Sequence, residues 1–423
     1  MPLSAASGGR EGNGVQRRFS LVAVVAVAWA MSAIASAQAP VLPTSPDTSG
    51  ARVTLGWLRL NPSISLNDLG VDTNVFNEAD VEHPERDVAM TLVPQTDVWV
   101  RMGRTWLTGN LRQDLIWFRD YRDESAANGS YHAGWFAPFN RLAVLVDGTW
   151  VRAKERPTFE IDSRALRRDA ALAGTAEVRA LSRTFLGGYA ERRGVRFAQG
   201  SFFDQVDLQE QLNRTRTSAG LVVRHELTPL TSVVAEAAGF TDRFTYSRDR
   251  DADSIQAGGG VRFDPAALLK GSIFAGYRRF SPKSPDIPAY TGATLTANIS
   301  YEPWSSSRLT VEGMRDVEYS FEDAQPYYLL NGVTGTLTQR VVGPVDVQGR
   351  AGLRSLDYRN RANVPGLPSE RRDHVTVFGA GLGYHLGRDV RFAIDTEHHR
   401  RTSVIAGRGF SGARHGVTIT YGL

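Results

Sequence analysis

Hydrophobic and polar residues alternate along most of the chain from about residue 53 onwards. Residues 87–102 are typical, because one set of alternate positions holds Val88, Met90, Leu92, Val98, Val100 and Met102. The opposite set includes Asp87, Thr91, Gln95, Asp97 and Arg101. Residues 294–301 and 390–397 repeat the pattern. Successive side chains of a strand point to opposite faces, so the pattern predicts strands with one apolar and one hydrated face.

The connections between these segments alternate between short and long. The short ones lie at 103–104, 138–140, 182–183, 228–229, 264–265, 303–306, 343–344 and 387–388. The long polar ones are 73–86, 154–167, 197–213, 246–252, 281–289, 359–372 and 400–411. Bacterial outer-membrane barrels have short periplasmic turns and longer extracellular loops. The sequence therefore predicts an all-β fold, a closed antiparallel up-and-down transmembrane β-barrel of about 18 strands (16–18), in the bacterial outer membrane.

Aromatic residues lie near both ends of the predicted strands. Those near the short turns are Trp106, Trp135, Phe263, Tyr301, Trp304 and Tyr384. Those near the opposite ends are Tyr121, Trp150, Tyr319 and Tyr358. Transmembrane barrels carry aromatic girdles at both membrane interfaces, so we expect these residues to form two such girdles.

Pro94 interrupts this regularity, because it lies in the middle of the second predicted strand. Proline has no backbone N–H to donate to a neighbouring strand. We therefore expect a bulge or irregular pairing at Pro94.

The two ends of the chain carry export and assembly signals. Residues 1–37 are predicted to be a signal peptide, because Arg17 and Arg18 precede an apolar run and residues 35–37 (ASA) form a small-residue cleavage site. Residues 1–14 are interpreted as an upstream start-site artefact, residues 38–52 as a short periplasmic linker, and residues 53–423 as the barrel. The final strand resembles those that the barrel-assembly machinery recognises, and its apolar face is formed by Val417, Ile419, Tyr421 and Leu423.

Composition narrows the classes of function. The mean hydropathy of −0.27 argues against a bundle of membrane-spanning helices. The chain has no cysteine, which excludes a lipoprotein anchor, a thiolate metal site and a cysteine nucleophile. The formal charge of +4 falls to +2 without residues 1–37, which contain three arginines and one glutamate. Such a nearly equal number of basic and acidic residues does not indicate a nucleic-acid binder.

No motif in the sequence indicates an enzyme or a cofactor. None of the eight histidines has HExxH spacing, and there is no GxSxG elbow. Asp249, Asp251 and Asp253 resemble the start of a calcium loop, but Ser254 and Gly260 replace its turn glycine and closing glutamate. A solvated surface loop is the favoured interpretation. We predict a non-enzymatic protein without a cofactor or a metal ion.

Fourteen charged residues lie on the polar faces of the predicted strands. An arginine that faced lipid at the bilayer midplane would cost about 2–4 kcal/mol, so we expect these faces to line the lumen. The candidates are Arg59, Arg101, Arg112, Asp114, Glu177, Arg179, Glu236, Glu312, Asp316, Arg350, Arg354, Arg391, Asp395 and Glu397. Their mixed signs favour a water-filled or internally hydrogen-bonded lumen over a strongly ion-selective pore. Barrels of 16–18 strands are wide enough to hold an aqueous channel.

Several short segments, spread over about residues 55–423, resemble the outer-membrane family called beta-barrel porin type 2. They are residues 60–66 (LNPSISL), 72–76 (DTNVF), 227–229 (LTP), 276–280 (GYRRF), Tyr290 with Gly292, and Arg315-Asp316 with Tyr319. The resemblance implies a porin-like barrel and supplies no catalytic residues. Because some relatives are associated with capsule or exopolysaccharide secretion, it also implies a polysaccharide as one cargo.

The sequence thus favours a porin-like channel or passage for hydrophilic solutes, secreted polysaccharide included. A structural or surface-binding barrel that uses its long loops is the alternative, and a barrel enzyme is the least favoured. The expected partners are outer-membrane lipid and lipopolysaccharide, the barrel-assembly machinery and, for polymer passage, polysaccharide export components. No nucleic-acid partner is expected.

Overall fold

Eighteen antiparallel strands close into one barrel in the computed structural model, which describes residues 46–362, 364–366, 368 and 370–422. The first nine are β1 (Leu58–Asp72), β2 (Asp87–Met102), β3 (Thr105–Phe118), β4 (Ala126–Pro138), β5 (Leu142–Glu155), β6 (Ala165–Arg179), β7 (Thr184–Phe197), β8 (Arg214–Thr228) and β9 (Thr231–Phe244). The others are β10 (Ala252–Phe263), β11 (Leu269–Pro282), β12 (Tyr290–Trp304), β13 (Ser307–Tyr319), β14 (Tyr327–Val342), β15 (Val345–Arg359), β16 (Arg372–Leu386), β17 (Val390–Thr402) and β18 (Phe410–Tyr421). The predicted fold class and strand number are confirmed.

The remaining elements are short. A strand at Val53–Leu55 pairs with the start of β1, and a small hairpin joins Phe202–Phe203 to Val206–Asp207. One α-helix, α1, covers Leu208–Leu212, and 3-10 turns cover Asp80–Glu82, Arg122–Glu124 and Arg248–Arg250. None of the helices in the described ranges has the length and apolar character needed to cross a membrane.

The barrel closes where β1 meets β18. Asp72 of β1 pairs with Arg414, and Ile64 pairs with Tyr421. The register shifts in between, where Asp68 has a φ of 55°. Gly70 follows this irregularity, and a Cβ there would lie 1.8 Å from the carbonyl oxygen of His415. The close approach of the two backbones explains why the position requires glycine.

The connections follow the predicted alternation. Those at the end we assign to the periplasm run from two residues, at 103–104, to five, at 264–268. Those at the other end run from the seven residues of 403–409 up to the sixteen residues of 198–213. Two of the longer loops, 119–125 and 320–326, were not identified from the sequence. Each is short, so its residues were read as part of the alternating pattern of the neighbouring strands.

Pro94 disturbs the sheet as expected. β2 and β3 pair Leu92 with Leu115 and then Gln95 with Arg112, so Val93 and Pro94 have no paired residue in β3. The register is the same on both sides of the gap. The missing N–H of Pro94 therefore interrupts the ladder without displacing either strand.

The predicted aromatic girdles are only partly present. Trp135, Trp150, Tyr301, Trp304 and Tyr384 are exposed on the barrel. The prediction was wrong for Trp106, Tyr319 and Tyr358. Trp106 lies beneath the guanidinium of Arg101, and Tyr319 and Tyr358 are buried in aromatic clusters. Period-two alternation does not show where the end of a strand bends away from the barrel wall. Such a bend, at the ends of β13 and β14, buries both tyrosines.

The outer ends of β13 and β14 bend away from the barrel wall. β12 and β13 are paired only between Leu295–Arg315 and Trp304–Ser307, so residues 316–319 have separated from β12. Tyr327, Tyr328, Leu329 and Leu330 are consecutive in β14 and all are at most 4% exposed. A strand in the barrel wall has one face towards lipid, whereas a strand that is buried on both faces must have other residues packed on both sides. This hairpin tip therefore projects into the interior of the barrel.

Candidate functional site: the barrel lumen

Charged side chains on the inner faces of the strands are neutralised by one another. Asp346 of β15 accepts two hydrogen bonds from the Arg391 guanidinium (2.7 and 2.9 Å), and His385 Nε2 lies 2.7 Å from the same carboxylate. On another part of the inner wall, Arg224 of β8 donates to both oxygens of Glu177 of β6 at 2.6 and 3.1 Å. Burying an ion costs several kcal/mol unless a partner and hydrogen bonds compensate it, which accounts for this pairing.

Six of the fourteen sequence-derived candidates border one cavity. It lies against the strands on both sides of the barrel closure and is open to solvent. The six are Arg112, Asp114, Arg350, Arg391, Asp395 and Glu397. Arg112 donates to Asp114 at 2.9 Å, and Arg350 donates to Glu397 at 3.1 Å. The cavity wall therefore presents alternating positive and negative groups.

Four further candidates make contacts within the interior but do not line the cavity. Glu177 is paired with Arg224, as described. Tyr189 donates its hydroxyl to Glu236 at 2.7 Å, and Arg278 donates to Asp316 at 2.8 Å. Arg354 donates to the Thr334 hydroxyl at 3.0 Å. These side chains hold the interior together and do not border the cavity.

Three of the last four candidates lie away from both groups. Arg59, Arg101 and Arg179 are near the short-turn ends of their strands. Arg59 donates to Thr48, Arg101 contacts the ring of Trp106, and Arg179 contacts the ring of Phe185. Glu312 is exposed in the middle of β13, opposite Asn298.

The loop at residues 156–164, between β5 and β6, folds into the lumen. Phe159 packs against the inward-facing cluster that contains Tyr328, Leu356 and Val375. The Arg354 guanidinium lies 4.3 Å from the centre of the Phe159 ring. Since Arg354 is on the inner face of β15, the loop has crossed the interior to reach it. We call residues 156–164 the inner loop.

Glu160 fixes the inner loop to the far wall. Its carboxylate accepts hydrogen bonds from the Ser320 hydroxyl (2.6 Å) and the Phe321 N–H (3.1 Å). Its backbone carbonyl accepts from Arg401 (3.1 Å) and Arg408 (2.7 Å). Glu160 has no exposed surface, and burial raises the pKa of its carboxyl group to about 7. The attachment therefore depends on an acid that titrates near neutral pH.

The outer rim is tied together by one arginine. Arg361 donates to Asp286 at 2.6 Å and to Asp323 at 2.8 Å, and it also contacts Asp249. The three carboxylates come from three different loops. The hydrogen bond from Arg361 and a contact with the Ser284 hydroxyl lower the pKa of the Asp286 carboxyl group. This ion cluster links the loop of the hairpin tip, which carries Asp323, to the loops that carry Asp249, Asp286 and Arg361.

The aspartates that resemble a calcium loop separate in the structure. Asp249 is held by Arg361, whereas Asp251 accepts from the Phe244 N–H at 2.7 Å. Asp253 accepts from Arg243 at 2.8 Å. Arg243 lies near both Asp251 and Asp253, whereas Asp249 is held by Arg361.

Inward-facing glycines of β16 make room for the charged groups of the cavity. A Cβ on Gly381 would lie 2.3 Å from Asp395 Oδ1. A Cβ on Gly383 would lie 2.5 Å from both Arg391 Nη2 and Asp346 Oδ2. The period-two glycines in the sequence indicated close packing on one strand face, and the packed groups are these ion pairs.

Sequence reasoning missed several residues of the site. Arg224, Arg278 and Asp346 occupy inner-face positions that the same alternation would have identified. Glu160 and Arg408 lie in loops, where no periodicity indicates which way a side chain points. Their role depends on contacts between loops more than 150 residues apart in the chain.

The terminal strand, β18, lies between β17 and β1. Val417 pairs with Ile394 and Leu69, and Tyr421 pairs with Val390 and Ile64. Ile419 pairs with Phe392 and Leu66, so the apolar face continues across three strands. Leu423 lies outside the described residues, as do the predicted signal peptide and the first residues of the linker.

Solved outer-membrane proteins resemble the barrel weakly. Pseudomonas aeruginosa OccK2 (OpdF), solved with glucuronate, has a TM-score of 0.46 and 8% identity over 86% of this chain and 97% of its own. P. aeruginosa OpdK, solved with vanillate, has a TM-score of 0.45 and 10% identity over 86% and 98%. Acinetobacter baumannii OccAB3 has a TM-score of 0.44 and 10% identity over 86% and 98%. Likenesses at this level support no inference about the transported solute.

The family comparison is decisive by contrast. No curated protein matches the sequence significantly. The family model described as "Putative beta-barrel porin 2" matches residues 46–422, which is nearly the whole barrel together with its N-terminal approach. The chain therefore belongs to the beta-barrel porin 2 family, and its barrel lies in the bacterial outer membrane.

Proposed function

We propose that the barrel is a passive passage for small hydrophilic solutes, and that the route follows the cavity beside the barrel closure. The supporting observation is the solvent-open cavity with charged groups of both signs on its wall. The opposite part of the lumen is filled by Tyr189, Phe240 and their buried neighbours. Solutes that pass along the cavity would exchange water for hydrogen bonds with the paired side chains.

Single cysteines test this route, because the natural chain has no cysteine to react. Thr336→Cys places a thiol on the cavity wall, whereas Thr296→Cys places one on the inner face of β12 away from the cavity. A charged thiol reagent should lower the planar-bilayer conductance of the first variant and leave that of the second unchanged. Equal block of both variants, or a wild-type barrel without conductance, would remove the proposed route.

The polymer version of this function demands more of the structure. Passage of a secreted polysaccharide requires the inner loop and the hairpin tip to leave the lumen, since Phe159 and Glu160 bridge it. Disruption of the gene in a strain that exports a surface polymer tests this version. Unchanged export in the disrupted strain would restrict the function to small solutes.

A further inference from the structure

Three arginines lie side by side on the outer surface of the barrel. Arg152 of β5 pairs directly with Arg168 of β6, and Arg168 pairs directly with Arg196 of β7. All three are exposed, while their chain neighbours Ala153, Arg167 and Phe197 are buried inside. Alternation therefore directs the three guanidinium groups outward. We call Arg152, Arg168 and Arg196 the arginine row.

The arginine row carries a positive charge that the described residues do not neutralise. Arg152 and Arg168 form no ion pair with any carboxylate in the described ranges. Arg196 donates to the carbonyl oxygens of Val195 and Arg214 and to the Thr215 hydroxyl, all of which are neutral acceptors. Like charges directly opposite each other in a sheet are destabilising. An external anion would relieve that repulsion.

Other outward arginines near the same rim are arranged differently. Arg243 of β9 is bound by Asp253 at 2.8 Å. Arg279 faces Ile255 and Thr291, and Arg400 faces Thr376 and Ser411. Neither of these two has an arginine in the paired position of a neighbouring strand. The accumulation of charge is thus specific to β5, β6 and β7.

The height of the arginine row on the barrel identifies its surroundings. Arg152 is two residues beyond Trp150, whose exposed ring stacks on Tyr131 at 5.5 Å between centroids. Exposed aromatic rings on barrels mark the membrane interface. Arg196 is the penultimate residue of β7, and all three arginines are near the strand ends that lead into long loops. The arginine row therefore lies at the headgroup level of the outer leaflet.

We propose that the arginine row binds the phosphate groups of the glycolipid in the outer leaflet, lipopolysaccharide. Guanidinium groups form paired, charge-assisted hydrogen bonds with phosphate oxygens. Adjacent strands are about 4.8 Å apart, so three arginines in a row span roughly 10 Å and can share one or two phosphates. The phosphates neutralise the row, and the glycolipid acyl chains pack on the apolar wall below it. This contact would attach one flank of the barrel to specific lipid molecules.

A binding measurement with purified, folded barrel in lipid-free detergent micelles tests the proposal. The probes are lipopolysaccharide with its lipid A phosphates, the same material after dephosphorylation, and inorganic phosphate alone. Wild-type protein should bind the phosphorylated form at least about tenfold more tightly than the dephosphorylated one. Equal binding of the two forms would overturn the proposal without any variant. Stabilisation of the barrel by inorganic phosphate to the same extent would indicate a free-anion site and would overturn it as well.

Two double variants with the same change of charge locate the site. Arg152→Gln/Arg168→Gln removes two members of the arginine row, and Arg279→Gln/Arg400→Gln removes two isolated arginines near the same rim. The first should lose most of the affinity for phosphorylated lipopolysaccharide, and the second should keep it. An equal loss in both would show diffuse charge attraction and overturn a defined site. Wild-type conductance of both variants confirms that they are folded.

Discussion

Glu160 is the residue on which the position of the inner loop depends. Burial raises its pKa from an ordinary 4.5 to about 7. One pKa unit corresponds to about 1.4 kcal/mol, so ionisation disfavours the folded-in loop by about 3 kcal/mol. Because the folded-state pKa is raised, the contribution of Glu160 is fully present below pH 4.5 and is lost as the pH rises through about 7. Neighbouring Arg371 and Arg408 lower the pKa, whereas Glu322 raises it.

We therefore expect the conductance of the barrel to increase between about pH 5 and pH 8, as the ionised carboxylate releases the inner loop. Glu160→Gln keeps the size and hydrogen-bonding capacity of the side chain but cannot ionise. Single-channel recordings of this variant should show a small, nearly pH-independent conductance. A variant with the wild-type pH profile would assign the titration to another group.

The glycines of β16 give a second expectation at the scale of single residues. Gly383→Ala would place a methyl group 2.5 Å from the ion pair of Arg391 and Asp346. Such overpacking should destabilise the barrel by about 1–3 kcal/mol. Gly174→Ala is the matched control, since a Cβ there meets nothing within 4 Å. Urea unfolding in detergent micelles compares the two, and equal midpoints would contradict the packing argument.

The inner loop is the element that narrows the lumen, and its anchors are the four consecutive residues Phe159, Glu160, Ile161 and Asp162. Replacement of residues 157–163 by a glycine-serine segment of the same length should raise the conductance severalfold, because nothing then holds the segment across the interior. A control variant keeps Phe159, Glu160, Ile161 and Asp162 and replaces the other three residues. It should stay near the wild-type conductance in the same planar-bilayer recordings, whereas a large increase would place the anchoring elsewhere.

At the scale of elements, the alternation of apolar and polar residues was sufficient to predict the strands of the barrel wall. It was insufficient to predict the hairpin that bends away from the wall. Residues 87–102 read as a strand because their two faces differ, and the missing N–H of Pro94 predicted the irregular pairing within it. Residues 316–319 and 327–330 are buried on both faces, which a two-sided pattern does not describe. Alternation indicates a strand with one face towards lipid and the other towards the lumen. It carries no information on a hairpin that bends through the lumen.

At the scale of the whole molecule, the charged side chains in the interior of the barrel are mostly held in pairs of opposite sign, which leaves the interior nearly neutral. Arg350 with Glu397 and Arg391 with Asp346 exemplify this on the cavity wall. A potassium chloride gradient across the wild-type barrel should therefore give a reversal potential near zero. Asp395→Asn/Glu397→Gln removes two negative charges from the cavity wall and should therefore shift the potential towards chloride selectivity. Asp253→Asn, on the outer surface, serves as the control and should leave it unchanged.

Every neighbouring pair of barrel strands is joined by a local hairpin except the pair that closes it. Asp72 and Arg414, which meet there, are 342 residues apart in sequence. Bringing distant segments together carries a chain-entropy cost that local hairpins avoid, so this contact forms last. Both flanking ends, Arg52 and Gly422, contact Asp389. A circular permutant that joins these ends and opens the turn at Gly343 would move the late-forming contact to β14 and β15 while every strand kept its neighbours.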